Sequence, residues 1–161
     1  MTPDSLPFVE PFPTPDAPPI LLVEDDDNDI VLIRRAIDRA GLKVRLCVAR
    51  DPIDAVHYLQ GHGKFADRAE YPVPMLMLLD IKLPRGSGFD VLRWVRERSG
   101  IKRLPVVVLT SSNADRDINM AYELGANSYI VKPLTFESLL QVARTVEMYW
   151  LMLNQAPDLS A

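Results

Sequence analysis

One cysteine, Cys47, stands in a chain of 161 residues, so no internal disulfide can form. It lies in an alternating apolar stretch and reads as a small buried hydrophobe rather than a redox group. A chain without disulfides suits the cytoplasm. No apolar run is long enough to cross a bilayer. The N-terminus lacks the basic leader and apolar core of a signal peptide. Positive charge is not in excess either. The formal net charge is -4, which argues against direct DNA binding. Histidine is scarce: the 2 that occur, His57 and His62, show no metal-ligand spacing and read as structural or surface residues. What remains is a soluble globular composition, 48% hydrophobic and 25% charged, of a size that suits one domain.

Proline is present but unevenly spread. Residues 1–19 hold seven of the 14 prolines. Such a segment forms neither helix nor strand interior and is expected to be an extended, mobile arm. Its Leu6, Phe8, Val9 and Phe12 are unusual for a bare spacer and offer apolar side chains for docking.

From Ile20 a rhythm begins. Apolar runs at 20–23, 44–48, 75–79, 105–109 and 128–131 read as strands. Between them lie helical patterns. The first ends at Gly41, the second runs from Pro52 to Gly61, and the third carries Phe89, Leu92, Trp94 and Val95 inward. A fourth closes at Gly125, and Thr135 caps a long last helix over 136–153. Strand and helix alternate five times, and the strands are mostly apolar runs without alternation. That predicts an α/β domain over 20–153, with a doubly wound parallel sheet between helices, and a tail at 154–161. In such sheets function lies beyond the carboxyl ends of the strands.

The strand ends carry chemistry. The first runs into Glu24, Asp25, Asp26 and Asp27, and the third, "MLMLL", into Asp80. The fourth meets Thr110, Ser111 and Ser112, and the fifth Lys132 and Pro133. Carboxylates gathered at one edge repel one another and call for a hard cation such as Mg²⁺, which prefers oxygen ligands. A carboxylate beside a cation and a lysine can attack phosphorus and form an aspartyl phosphate. Each ingredient has a bland reading by itself: strand-end lysines are usually solvated, and acidic runs often complement a helix dipole. Their joint appearance at the strand ends favours the chemical reading.

"LLVEDD", "LLDIKLPRGSGFDVL", "VVVLTSS" and "SYIVKPL" closely resemble the receiver domain of two-component response regulators. The resemblance implies a flavodoxin-like fold of strand order 2-1-3-4-5. It implies that Asp80 accepts a phosphoryl group from a histidine kinase. The protein would then be a signalling phosphoacceptor that takes part in its own phosphorylation and dephosphorylation, not an enzyme acting on others. Glu24 and Asp25 match the acidic pair that organises Mg²⁺, and Lys82 the position whose backbone carbonyl ligates the metal. Thr110 matches the switch hydroxyl and Tyr129 the switch aromatic. Lys132 and Pro133 match the lysine and its cis-peptide partner. Where Lys82 stands, many members have asparagine or another residue, so access of hydrolytic water could differ. "GHGKFADRAEYPVP" and "VEMYWLMLNQAP" further resemble single-domain regulators paired with bacterial and cyanobacterial phytochromes. That implies a light-regulated kinase as donor, often with a homodimer.

Three rivals are weaker. A haloacid-dehalogenase-type phosphatase wants a second carboxylate two residues past the nucleophile, where Lys82 stands. A flavodoxin-type carrier wants a Ser/Thr/Gly-rich first loop, where "EDDDND" would repel a flavin phosphate. A phosphorylation-independent interaction module need not keep the full residue set. The basic stretch "RWVRERSGIKR" reads as a solvated helix face whose Arg93, Arg96 and Lys102 suit pairing with acids. About eight residues are expected after the last helix, so the output is expected to belong to a partner. That helix carries Val142, Met148, Tyr149, Trp150, Leu151, Met152 and Leu153 beyond what one sheet face can bury. Tyr149, Trp150 and Leu153 are the expected contacts of a homodimer.

Overall fold

The computed structural model describes residues 16–159. Five strands, β1 (Pro19–Val23), β2 (Arg45–Ala49), β3 (Leu76–Leu79), β4 (Val106–Thr110) and β5 (Ser128–Val131), form one sheet. All pairings are parallel, and the order is β2-β1-β3-β4-β5. Helices α1 (Asp27–Arg39), α2 (Pro52–Gln60), α3 (Gly88–Glu97), α4 (Asp115–Glu123) and α5 (Phe136–Val146) alternate with the strands. β1, β3 and β4 behave as anticipated, because each buries both faces, while β2 and β5 at the edges are half-buried. Ile20, Leu22, Leu76, Leu78, Val107 and Leu109 meet Ile30 and Ile33 of α1 and Val146 of α5. The intervening Leu21, Val23, Met77, Leu79, Val106 and Val108 meet Ala55, Val91, Leu92, Val95 and Ala121 from the other three helices.

Boundaries differ from the sequence reading at both ends. The proline-rich arm, expected over 1–19, yields its last residues to the fold. Pro18 O accepts from Arg45 N (2.9 Å), Pro19 O accepts from Met75 N (2.9 Å), and Ala17 is buried. A proline is tolerated as the first residue of a strand because it still accepts through its carbonyl. Leu6, Phe8, Val9 and Phe12 lie outside the described residues. At the other end, the α-helix stops at Val146 and a π-helical segment, Glu147–Leu153, replaces the expected continuation. The wider turn, closed by Asn154 N donating to Tyr149 O at 2.6 Å, turns Trp150 and Leu151 onto the core. Val142, read as surplus, also packs there. The tail does not simply hang free. Leu159 packs against the core under α2, α3 and α4, and Arg103 donates to Asp158 O (3.3 Å). Cys47, expected buried, is half-buried beside that same core.

Arg96 is not a solvated side chain. Its guanidinium donates to the carbonyls of Gly125 (2.9 Å), Lys102 (2.8 Å) and Leu104 (2.7 Å), and to Asn127 Oδ1 (2.9 Å). Asn127 Oδ1 in turn accepts from Val106 N at 2.8 Å. A planar fork with five donors can tie the end of α3 to the starts of β4 and β5; helix periodicity reveals only that the residue is polar. Arg93 does pair with an acid, Asp90, at 3.6 Å. Replacing Arg96 by Met keeps the stem but leaves these acceptors without their donor. Urea unfolding should register a loss of about 2 kcal/mol, whereas a loss under about 0.5 kcal/mol would return Arg96 to the solvated class.

Candidate functional site

Register aligns the chemistry. Val23 of β1 pairs with Leu79 of β3, which pairs with Val108 of β4, and Thr110 pairs with Val131 of β5. Glu24, Asp80, Thr110 and Lys132 therefore leave the sheet side by side at its carboxyl edge. The apolar runs hold each strand in place, and the first polar residue past each run faces the same small volume.

Within it Lys132 is the hub. Its Nζ donates to Glu24 Oε2 (2.5 Å), Asp29 Oδ2 (2.8 Å) and Asp80 Oδ2 (2.9 Å). The other Asp80 oxygen, Oδ1, accepts from Thr110 Oγ1 (2.7 Å) and Lys82 N (3.1 Å). Asp80 is 5% exposed and Glu24 is 1% exposed, so burial is the largest single influence on the proton affinity of each. For Asp80, burial pushes upward, but Lys132, Thr110 and the Lys82 N–H together outweigh it and hold the carboxyl below its ordinary value. For Glu24, burial prevails over Lys132 and the Asp26 N–H, and the carboxyl is pushed up to about 7. Burial lowers the Lys132 ammonium, yet its carboxylate partners more than compensate and raise it.

Carboxylate oxygens of Glu24, Asp25 and Asp80 lie within 4.8 Å of one another, with Asp25 exposed. Three carboxylates, Glu24, Asp29 and Asp80, thus share one ammonium, and Asp25 adds a fourth carboxylate beside them. The surplus negative charge and the all-oxygen donor set fit a hard divalent cation. The sequence reading placed Glu24, Asp25, Asp80, Thr110 and Lys132 correctly together. Lys82 is adjacent through its backbone, and its side chain points to solvent. Tyr129 is half-buried against the core, and its hydroxyl donates to Ser112 O at 2.8 Å. Burial raises its phenol above the ordinary value.

One expectation is corrected. The Lys132–Pro133 bond is not cis, and no cis peptide bond occurs among the described residues. The trans form is the lower by about 0.5–1 kcal/mol for a bond to proline. In it Lys132 N reaches Thr110 O at 2.7 Å while its side chain still reaches Asp80.

Several residues of the site escaped the sequence reading. Asp29 was counted only as part of the helix start, although its place in the first turn of α1 was a usable signal. Gly88 opens α3 against the backbone of the site, where a Cβ would lie 2.2 Å from Asp80 O and 2.7 Å from Ile81 Cα. Only glycine allows that approach, and Gly88 N donates to Ile81 O at 3.0 Å. Arg85 takes a left-handed φ of 58° and forms an ion pair with buried Asp51, the N-cap of α2. Ser112 Oγ donates to Asp117 Oδ2 (2.6 Å) and accepts from Ala114 N (3.3 Å), which shapes the start of α4.

The model of the response regulator receiver domain matches residues 20–144. The probable methanogenesis regulatory protein FilR2 of Methanothrix harundinacea is 38% identical over 86% of this chain and 86% of its own length. Response regulator Rcp1 of Synechocystis is 35% identical over 82% of this chain and 88% of its own. Its Mn²⁺-bound structure superposes with a TM-score of 0.77 over 87% of this chain and 99% of that one, at 34% identity. The phosphorylated cyanobacterial phytochrome response regulator RcpA superposes with a TM-score of 0.81 at 34% identity, over 88% of this chain and 99% of that one.

A cation at this cluster has to compete with the Glu24 proton. With the Glu24 carboxyl pushed up to about 7, its proton competes with a cation below that pH and yields above it. Apparent Mg²⁺ affinity should therefore rise as pH increases from 6 to 8, by up to about tenfold. Asp80, held low, adds no change in that window. Calorimetric titration at several pH values measures this, and an affinity flat over the window would contradict it.

Proposed function

The chain belongs to the response regulator receiver domain family, and from that premise we propose that Asp80 is the residue that takes a phosphoryl group from a histidine kinase. The observation that carries this is the pair of contacts on one buried carboxylate, Lys132 Nζ at 2.9 Å and Thr110 Oγ1 at 2.7 Å. In the transfer an Asp80 oxygen bonds to phosphorus as the bond from phosphorus to the kinase imidazole breaks, and its electron pair leaves with the imidazole. Lys132 and Thr110 are placed to donate to the phosphoryl oxygens as charge builds there. Glu24, Asp25 and Asp80, with the Lys82 carbonyl, would hold Mg²⁺, which when bound neutralises the charge on the transferring group.

Thr110 and Tyr129 form the switch in this reading. Thr110 already sits on Asp80, and Tyr129 is already half-buried. A phosphoryl group therefore selects this arrangement rather than creating it. The proposed donor is a phytochrome-type kinase in the cytoplasm, supported by the likeness to RcpA and Rcp1. The phosphatase alternative is disfavoured by Lys82 at the place of its second carboxylate. Output passes through protein contacts rather than DNA, given the net charge of -4. No helix among the described residues is long and apolar enough to cross a membrane.

Mg²⁺-dependent labelling by acetyl phosphate and by phytochrome kinases of the same organism tests the assignment. Native protein should be labelled, and Asp80→Asn should lose at least about a hundredfold. Equal labelling of the variant would sink it. In the same samples, fluorine-labelled Tyr129 should report a shift of population on adding beryllofluoride, and an unchanged signal would remove Tyr129 from the switch.

We also propose a homodimer through the end of the chain. Met148, Tyr149, Met152 and Leu153 are exposed side by side at 57%, 51%, 70% and 65%. Trp150 stands edge-on to Tyr149, with centroids 5.0 Å apart, and is half-buried on its own core. Of the three expected contacts, Tyr149 and Leu153 are the accessible ones, and Trp150 backs them. Light scattering should give a dimer at micromolar concentration. Tyr149→Glu with Leu153→Glu should give a folded monomer that still accepts phosphate. A native chain that stays monomeric at high concentration would remove this interface.

A further inference from the structure

Lys132 has one partner that phosphoryl chemistry does not require. An ammonium carries three N–H donors, and here each goes to a different carboxylate. Glu24 and Asp80 belong to the cluster whose oxygens gather within 4.8 Å, while Asp29 lies outside it. The exposures differ as well. The side chains of Glu24 and Asp80 are 1% and 6% accessible, but that of Asp29 is 37% accessible. Its backbone is fixed, because Asp29 N donates to Asp26 Oδ1 (3.0 Å) in the first turn of α1. The carboxylate thus reaches from a rigid helix start, at the rim of the site, to the end of β5.

We propose that Asp29 is a positioning residue that restrains Lys132, occupying the third ammonium donor and so slowing the phosphorylation of Asp80. The inference rests on the reading of Asp80 as acceptor. When an Asp80 oxygen bonds to phosphorus and the donor's leaving group departs with its electron pair, the charge of the Asp80 carboxylate is lost into the acyl phosphate. Negative charge then resides on the phosphoryl oxygens, and Lys132 has to turn toward them. The bond to Asp80 Oδ2 weakens with that charge, and the ammonium can move off the other two carboxylates only if one of them also yields. Glu24 is buried, with Lys132 and the Asp26 N–H (3.1 Å) holding its two oxygens, so no water can replace the ammonium there. Asp29 is the partner that solvent can take over, and the Lys132–Asp29 contact is the one that opens. Its charge also stands at the solvent-accessible side of Lys132, and a carboxylate there repels an anionic phosphodonor. Release of Lys132 and repulsion of the donor act in the same direction: both slow the forward step.

The test compares native full-length protein with Asp29→Asn, Asp29→Ser and Asp29→Glu at saturating Mg²⁺. Three quantities are read: the rate of phosphorylation by acetyl phosphate, the affinity for beryllofluoride as a phosphoryl mimic, and the ¹⁵Nζ resonance of Lys132. Asp29→Asn and Asp29→Ser should be phosphorylated about threefold to tenfold faster and bind beryllofluoride correspondingly tighter. Their Lys132 resonance should shift and its protons exchange faster with water. Asp29→Glu should return all three toward native values. A role confined to the start of α1 would lower the melting temperature without moving the Nζ resonance or speeding the reaction, and that result overturns the proposal. So does unchanged or slower labelling of Asp29→Asn beside a labelled native protein. A native protein that takes neither phosphate nor beryllofluoride at Asp80 would overturn the acceptor reading, and this inference with it.

Discussion

A single ammonium set among buried carboxylates is the constraint on which the rest of the molecule depends. Glu24 and Asp80 are both nearly inaccessible to water, and an unpaired buried charge costs several kcal/mol. Lys132 is what makes their burial tolerable, and it can do so only if β1, β3 and β5 end level with one another. The registers that set this level come from apolar residues with no part in the chemistry. Core packing and site geometry are thus one problem: a slip of one residue in β5 would turn Lys132 to the opposite face of the sheet. The compensation is incomplete by design of the residue set, since the carboxylates outnumber the ammonium. A site left with surplus negative charge is one that a divalent cation can enter.

The loops around this hub are held by further contacts that do not use the Asp80 carboxylate. Gly88 lets α3 begin directly on the Asp80–Ile81 backbone, and Ser87 Oγ donates to Ile81 O at 3.2 Å while capping the same helix. Arg85 tethers the connection between β3 and α3 to the cap of α2. Ser112 organises the connection between β4 and α4 through Asp117 and receives the Tyr129 hydroxyl on its carbonyl. The Arg85–Asp51 tether joins the connection after β3 to the one after β2, and Tyr129 joins β5 to the connection after β4. The other tethers brace the connections after β3 and β4 internally.

Much of this was legible in the amino-acid order. Apolar runs without alternation can be satisfied only by burial on both faces, so three such runs between helices, with two more strands at the edges, specify the sheet, and its polar strand ends specify the site. What stayed hidden depends on side chains crossing between elements. Asp29 looks like any acid in a first helical turn until β5 delivers Lys132 beside it. Arg96 looks like any arginine on a helix until the starts of β4 and β5 present their carbonyls. Gly88 follows a cap and could be taken for a residue of convenience; only the 2.2 Å approach to Asp80 O reveals the need for it. The end of α5 misled for a different reason. The letters of Glu147–Leu153 are apolar nearly all round with no stop signal, and the backbone there adopts the wider π turn instead. The cis bond at Pro133 was inferred from resemblance alone, and nothing in the local letters demanded it.

The same alternation that aims Lys132 inward exposes its neighbours. β5 is an edge strand, covered less completely than β1, β3 or β4, and Val131 at its end is 41% exposed. Leu134 and Phe136 follow on the surface of the same corner. Tyr129 is joined to the connection after β4 through Ser112 O, and Lys132 N is joined to Thr110 O. Thr110 in turn contacts Asp80. Hydrogen bonds therefore link the Asp80 carboxylate through Thr110 to the backbone just past the edge strand, where Val131, Leu134 and Phe136 are exposed. Packed cores shift between discrete arrangements rather than deforming continuously. β1 and β3 are held on both faces by the core, so of the strands that border the site β5 is the one with an exposed end.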